Sequence, residues 1–305
     1  MPGRKGYLIM LDINLHNITT DNLSLPVYIE KEIGVDILRL DKVHPQVSGN
    51  KWFKLRYYLE EAKTEGKKTM VTFGGAWSNH ILATAAACKI NNFNCIGIIR
   101  GEQSADMSAT LIHAKKLGMQ LIFISREDYR QQKIPEEYNS SAYYIIPEGG
   151  YGLNGAKGGA TILDYCKKEI YTHIVCAAGT GTMTAGLIKG ASPDSQVISI
   201  SVLKNNFALE EKIKSLTGKT ETTCHVNHDY HFGGYAKKKP LLINFMNEFY
   251  HHTGIPSDFV YTGKLFFAVN DMICNNFYPA GSNLVIIHSG GLAGNASLSK
   301  GTLIF

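Results

Sequence analysis

The sequence has no apolar run approaching the roughly 18 residues of a membrane-spanning helix, so no membrane partner is expected. It has no CxxC pair either. Cys88, Cys95, Cys166, Cys176, Cys224 and Cys274 are scattered, several inside apolar runs, and read as buried free thiols of a reducing, cytoplasmic compartment. Dense basic stripes are also missing. The net charge of +5 is spread along the chain, with only short clusters such as Lys237-Lys238-Lys239, which argues against a nucleic-acid surface. The chain shows no internal repeat and no low-complexity tract, so a solenoid or a disordered linker is not expected. Near the start, Arg4 and Lys5 precede Tyr7-Leu8-Ile9-Met10-Leu11, a run too short for a signal-peptide core and interrupted by Asp12.

What is present is a 305-residue chain, 44% hydrophobic and 19% charged, long enough to bury a sizeable core and to form two domains. Strand and helix signals alternate along it. Residues 51–62 put Trp52, Leu55, Leu59 and Ala62 on one helical face, and Gly66 stops the helix. Residues 69–73 form a short apolar strand that turns at Gly74-Gly75 into a helix through 81–89. Strands over 95–99, 121–124 and 143–146 follow, with a helix near 109–117. Further on come a helix near 156–168, a strand over 174–178, a Gly/Thr loop, another helix and a strand over 196–202. Short apolar strands alternating with helices imply parallel sheets covered on both faces. The expected fold is therefore α/β with two domains, each a mostly parallel twisted sheet covered by helices. Residues 53–158 make the smaller domain, 1–52 plus 159–305 the larger, and the ligand lies between them at strand C-terminal ends.

Three constellations sit on strand–helix or loop–helix junctions, where chemistry is easiest to place. In Ser48-Gly49-Asn50-Lys51 a lysine opens a helix beside Trp52 and Phe53. It reads either as a solvated surface lysine or as a desolvated amine, whose lowered pKa leaves it nucleophilic. In Gly74-Gly75-Ala76-Trp77-Ser78-Asn79-His80, Ser78 and Asn79 stand where backbone amides and the helix dipole favour a carboxylate; plain helix capping is the other reading. In Gly179-Thr180-Gly181-Thr182-Met183-Thr184-Ala185-Gly186, a loop opening a helix can cradle a small phosphate or simply make a tight crossing. It is no Walker loop, because no lysine follows the glycines, and Thr184 spoils a dinucleotide fingerprint. The cluster from Cys224 to His231 has spacing that suits no usual metal site. It reads as a polar loop leading to Phe232-Gly233-Gly234, so no metal is expected. His251-His252 reads as the end of a helix.

Taken in order, these motifs resemble the tryptophan-synthase-β-like superfamily of pyridoxal 5′-phosphate (PLP) enzymes. Within it they are similar to the branch of 1-aminocyclopropane-1-carboxylate (ACC) deaminases and D-cysteine desulfhydrases. The resemblance runs from about Leu40 to Ala293, through SGNKWFKL at 48–55, Gly74 to His80, the Gly179 loop, 232–235, VYTGK at 260–264 and HSGG at 288–291. It implies that Lys51 is the Schiff-base lysine and the base at Cα, with Asn50 beside it and Lys54 near the phosphate. Ser78 would bind the substrate carboxylate, and Asn79 the cofactor's phenolic oxygen. Gly179, Thr180, Gly181, Thr182 and Met183 would hold the phosphate, while Tyr235 and Tyr261 match the family's two active-site tyrosines. ACC deaminases have glutamate after the second tyrosine and leucine between His and Gly-Gly. Here stand Thr262 and Ser289, the desulfhydrase pattern, placed by the resemblance near the pyridine nitrogen. Trp77 replaces the branch's usual glutamine. The implied activity is PLP-dependent α,β-elimination from a small amino acid such as D-cysteine, giving a keto acid, ammonia and sulfide, by a cytoplasmic homodimer. ACC deamination is the alternative, followed by a serine/threonine dehydratase or cysteine synthase, and by a non-catalytic amino-acid- or PLP-binding protein.

Overall fold

The computed structural model describes residues 13–218 and 224–305. The short apolar run Tyr7-Leu8-Ile9-Met10-Leu11 lies outside the described residues. The chain opens with β1 (Thr20–Asn22), α1 (Pro26–Glu30) and β2 (Gly34–Arg39). Next come α2 (Asn50–Thr64), β3 (Thr69–Gly74), α3 (Asn79–Ile90), β4 (Asn94–Arg100), α4 (Ala109–Lys116), β5 (Met119–Ile124), α5 (Arg126–Arg130) and β6 (Tyr143–Ile146). The rest is α6 (Leu153–Ala160), β7 (His173–Ala178), α7 (Thr182–Gly190), β8 (Gln196–Ser201), α8 (Leu209–Thr217), β9 (Cys224–Asn227), α9 (Pro240–Thr253), α10 (Thr262–Cys274) and β10 (Asn283–His288).

Two sheets result. One has the order β5-β4-β3-β6 and is wholly parallel; the other has the order β1-β2-β10-β7-β8-β9 and is parallel except for the edge pair β1–β2. The alternation of short apolar strands with helices thus produces an α/β fold of mostly parallel sheets flanked by helices. Central strands are buried along nearly their whole length: Val71 and Ile98 in the four-stranded sheet, Val175, Ile198 and Ile286 in the six-stranded one. On α2, Leu55, Leu59 and Ala62 are buried as their spacing predicts.

Two local expectations are corrected. The helix expected near 156–168 is shorter: α6 ends at Ala160, and the chain tightens into a 3-10 turn over Thr161–Tyr165. There the Thr161 hydroxyl donates to the Gly158 carbonyl at 2.8 Å, adding to the bond that carbonyl accepts from the Thr161 backbone N–H. The polar segment expected as a loop from Cys224 begins instead with β9, which pairs in parallel with β8 from Val197↔Cys224 to Ile200↔Asn227. Main-chain pairing to an existing edge needs no apolar side chains, and so gives no periodic signal. His251 and His252 do occupy the last turn of α9.

Candidate active site

Parallel strands deliver their C-terminal ends to one side, and here both sheets deliver them to a single cavity of about 1220 Å³. Residues at or just beyond the ends of β3, β4, β7, β8 and β10 line it: Gly75, Arg100, Ala178, Leu203 and Ser289. The cavity collects most of the residues singled out from the sequence, namely Asn50, Lys51, Lys54, Ser78, Asn79, Gly179, Thr180, Gly181, Met183, Tyr235, Tyr261 and Ser289. Two are not on its wall. Thr182 is fully buried, with its hydroxyl 3.0 Å from that of Thr180. Thr262 is fully buried too, and its hydroxyl donates to Asp258 Oδ1 at 2.9 Å.

Lys51 is the second residue of α2 and faces the cavity deep in the molecule. Its Nζ donates to the Asn50 side-chain oxygen at 2.8 Å, and Asn50 Nδ2 reaches Met183 Sδ at 3.2 Å. Burial pulls the Lys51 pKa down to about 8, with Asp258 opposing the shift. The turn that aims it depends on Gly49, at φ 64°, where a Cβ would fall 1.9 Å from the Ser289 carbonyl oxygen. Lys54, one turn on, is buried and donates to the Gly149 carbonyl at 3.3 Å. Burial and then Lys51 hold its pKa well below the usual lysine range.

Ser78 caps α3, its Oγ accepting from Ile81 N–H at 3.4 Å, so the capping reading and the cavity position hold together. Asn79 Nδ2 donates to the Gly291 carbonyl at 3.4 Å. The Gly179 loop ends at Gly181, at φ 78°, which caps the nine-residue α7 and packs against Leu209 and Ile213. Asn206 Nδ2 donates to the Gly179 carbonyl at 3.1 Å and pins the loop. The result is a helix N-terminus on the cavity wall, an arrangement whose amides can donate to an anion. Across the cavity the Tyr235 and Tyr261 rings meet edge to face at 6.5 Å. Burial raises both phenol pKa values, that of Tyr261 far above its ordinary range, so both rings are neutral donors.

Several residues escape the sequence reading. His80 Nε2 lies 2.8 Å from Thr72 Oγ1, whose own hydrogen goes to the Ile146 carbonyl at 2.9 Å. The ring therefore donates from Nε2 and leaves Nδ1 as a buried acceptor without a partner. Burial and the two lysines push its pKa well below the ordinary value. Asp258 is fully buried and accepts from the backbone N–H groups of Val260, Tyr261 and Thr262 at 2.9–3.0 Å, fixing the start of α10. Lys264, also fully buried, donates to the carbonyls of Val202, His231 and Gly234 at 3.2, 2.9 and 2.8 Å. His80 and Lys264 at least stand inside motifs; Asp258 stands just ahead of VYTGK, and its bonds to Val260, Tyr261 and Thr262 make it a local cap that those motifs do not include. Among the described residues no group of His, Cys, Asp and Glu is arranged to hold a metal.

The model of a family described as pyridoxal-phosphate-dependent enzymes matches residues 19–290. A putative 1-aminocyclopropane-1-carboxylate deaminase of Thermotoga maritima is 31% identical over 276 residues, covering 83% of this chain and 87% of that protein. One from Pyrococcus abyssi is 29% identical over 298 residues, covering 87% of each. A D-cysteine desulfhydrase of Salmonella typhi is 25% identical over 291 residues, covering 87% of this chain and 88% of its own. The crystal structure of an ACC deaminase homologue superposes with a TM-score of 0.79 at 26% identity, covering 93% of this chain and 92% of that one.

Proposed function

Because the chain belongs to the family of pyridoxal-phosphate-dependent enzymes, we propose that it eliminates a β-substituent from a small amino acid, as a D-cysteine desulfhydrase does. The carrying observation is the Lys51 amine on the wall of the shared cavity, drawn down to a pKa of about 8.

The residues present fit the cofactor. The amides at the start of α7, in a loop that packing fixes at Gly181, suit its phosphate, and Lys51 supplies the amine that would hold it covalently. Asn79 would meet its phenolic oxygen and Ser289 its ring nitrogen, a reading supported by the presence of both on the cavity wall. Bound there, pyridoxal phosphate supplies a sink for the electron pair left at Cα when a proton is removed.

The chain's own groups do the rest. Ser78 and the start of α3 bind the substrate carboxylate, through a hydroxyl and amides aligned with the helix dipole. Lys51 exchanges the Cα proton, since a pKa lowered to about 8 leaves about a tenth of its amine unprotonated at pH 7, far more than in an ordinary lysine. Tyr235 and Tyr261 remain protonated and orient the substrate by donating hydrogen bonds. Loss of the Cα proton and of the Cβ substituent with its bonding electrons, then hydrolysis of the enamine set free, yields pyruvate and ammonium. A neutral Ser289 hydroxyl leaves the ring nitrogen unprotonated and the sink weaker, which thiolate loss tolerates better than cyclopropane opening. Thr262, committed to Asp258, leaves Ser289 as the hydroxyl that serves this position.

The relatives bearing the ACC deaminase description favour ring opening as the second reading. The test is pyruvate and sulfide from D-cysteine against 2-oxobutyrate from ACC under the same conditions. Faster formation of 2-oxobutyrate rejects the desulfhydrase reading. A cytoplasmic homodimer belongs to the same proposal; six free thiols support a reducing compartment, and sedimentation of the purified protein tests its assembly.

A further inference from the structure

The residues assigned above account for two anions, the cofactor's phosphate and the substrate's α-carboxylate. The cavity wall holds more positive charge than these need. Lys212 stands with the Gly179 loop, since Gly181 packs on Leu209 and Ile213 of the same helix as Lys212. Three arginines remain on the side of the four-stranded sheet: Arg100, Arg126 and Arg130.

Their placement follows from the sheet. Arg100 ends β4, opposite Ile124 at the end of β5, and Arg126 and Arg130 follow on α5. A Cβ built on Gly75 would lie 3.4 Å from Arg100 Nη2, so this guanidinium lies against the turn that leads to Ser78. A Cβ on Gly101 would lie 3.9 Å from Arg126 Nε. Arg100 also stands 5.7 Å from the Tyr129 ring centroid, a contact that leaves its N–H groups free. Among the described residues no acid pairs with any of the three. Of the acids on the cavity wall, Asp41 is taken by Arg39 through bonds of 2.8 and 2.7 Å, and Glu148 is one carboxylate against three guanidiniums. Glu102 and Asp106 line a smaller side cavity that Arg100 also touches, and neither pairs with it. Arg130 Nε donates to the Arg126 carbonyl at 3.3 Å, and three guanidiniums facing the single Glu148 carboxylate on a ligand cavity leave an excess of N–H donors and positive charge, the chemistry of oxyanion recognition.

We propose that Arg100, Arg126 and Arg130 form a second anion subsite, and that the substrate is a small amino acid whose side chain ends in an oxyanion: carboxylate, sulfonate or phosphate. The inference rests on the reading of this cavity as an amino-acid site. The α-carboxylate at Ser78 and the distal oxyanion at Arg100 lie on neighbouring parts of one wall, which suits a short side chain.

The test is pyruvate formation by the holoenzyme from neutral substrates, cysteine and 3-chloroalanine, and from oxyanion-tailed ones, cysteic acid and O-phosphoserine, as both enantiomers. The tailed compounds are expected to have kcat/KM higher by about tenfold or more. That ratio should collapse toward one in Arg100→Gln and fall in Arg126→Gln and Arg130→Gln. Cysteic acid against O-phosphoserine separates sulfonate from phosphate. Neutral substrates preferred, or a ratio unmoved by all three replacements, overturns the proposal. Calorimetric titration with 3-sulfopropanoate and butanoate decides the subsite without turnover. Tighter binding of the sulfonate, lost in Arg100→Gln, upholds the subsite even if no amino acid is eliminated and the reaction reading falls. Equal binding rejects the subsite.

Discussion

Lys51 concentrates the chemistry at the scale of single residues. Its pKa of about 8, against 10.5 for an ordinary lysine, means that half the amine is free near pH 8. Covalent uptake of pyridoxal phosphate by the apoprotein should therefore rise with pH and level off above about 8, followed by absorbance in a stopped-flow mixer. Borohydride reduction and peptide mapping should place the pyridoxyl group on Lys51, and Lys51→Ala should abolish both signals. Mapping to Lys54 would reverse the assignment. Ser78 carries two duties with separable costs. Ser78→Ala removes a helix cap, about 1 kcal/mol of stability, and a hydrogen bond to an anion, roughly 1.5–3 kcal/mol in kcat/KM. Thermal melts read the first and kinetics the second, with the covalent cofactor retained. These two positions were legible because each follows a glycine turn at the head of an amphipathic or apolar helix. Arg100, Arg126 and Arg130 were not, because three separated arginines become a cluster only when β4 and β5 pair.

Among the elements, the alternating strands and helices between 50 and 200 could be read from apolar runs and stop signals, because parallel central strands are buried on both faces. The less legible parts lie at the edges and in the return of the chain. β9 is a polar edge strand, and α10 owes its start to the Asp258 carboxylate, a cap outside the motifs. Lys264 on α10 makes a connection that is tertiary, to parts of the chain distant in sequence. Its ammonium has three N–H groups, and three backbone carbonyls accept them: Val202 just beyond β8, and His231 and Gly234 in the segment leading to Tyr235. The pin holds Tyr235 against Tyr261 across the cavity. Lys264→Met should cost roughly 2–4 kcal/mol, since it strands buried acceptors. It should also lower kcat/KM by disordering Tyr235. If position rather than charge alone matters, Tyr235→Phe and Lys264→Met should be non-additive in kcat/KM, measured as a double-mutant cycle. Additive losses would make Lys264 a purely structural group.

At the scale of the whole molecule, the cavity is where the two sheets end, and a bound cofactor would touch elements of both. Lys51 is on α2, Asn79 follows β3 of the four-stranded sheet, and the Gly179 loop and Ser289 follow β7 and β10 of the six-stranded one. A ligand held by parts of two sheets stabilises the folded state by mass action, about 2.7 kcal/mol at a hundredfold excess over Kd. At roughly 2–4 °C per kcal/mol for chains of 150–250 residues, loading should raise the Tm by about 5 °C or more. Lys51→Ala separates the covalent contribution from the rest. The amides of the Gly179 loop, the Asn79 side chain and Ser289 survive that replacement, so the variant should still gain a smaller, concentration-dependent rise from pyridoxal phosphate. Inorganic phosphate, which lacks the ring contacts, should give a smaller rise still, and the part of it that the loop supplies should survive Arg100→Gln. If Lys51→Ala gains nothing from either ligand, the loop does not bind phosphate, and its glycines serve only the close packing of α7 against α8.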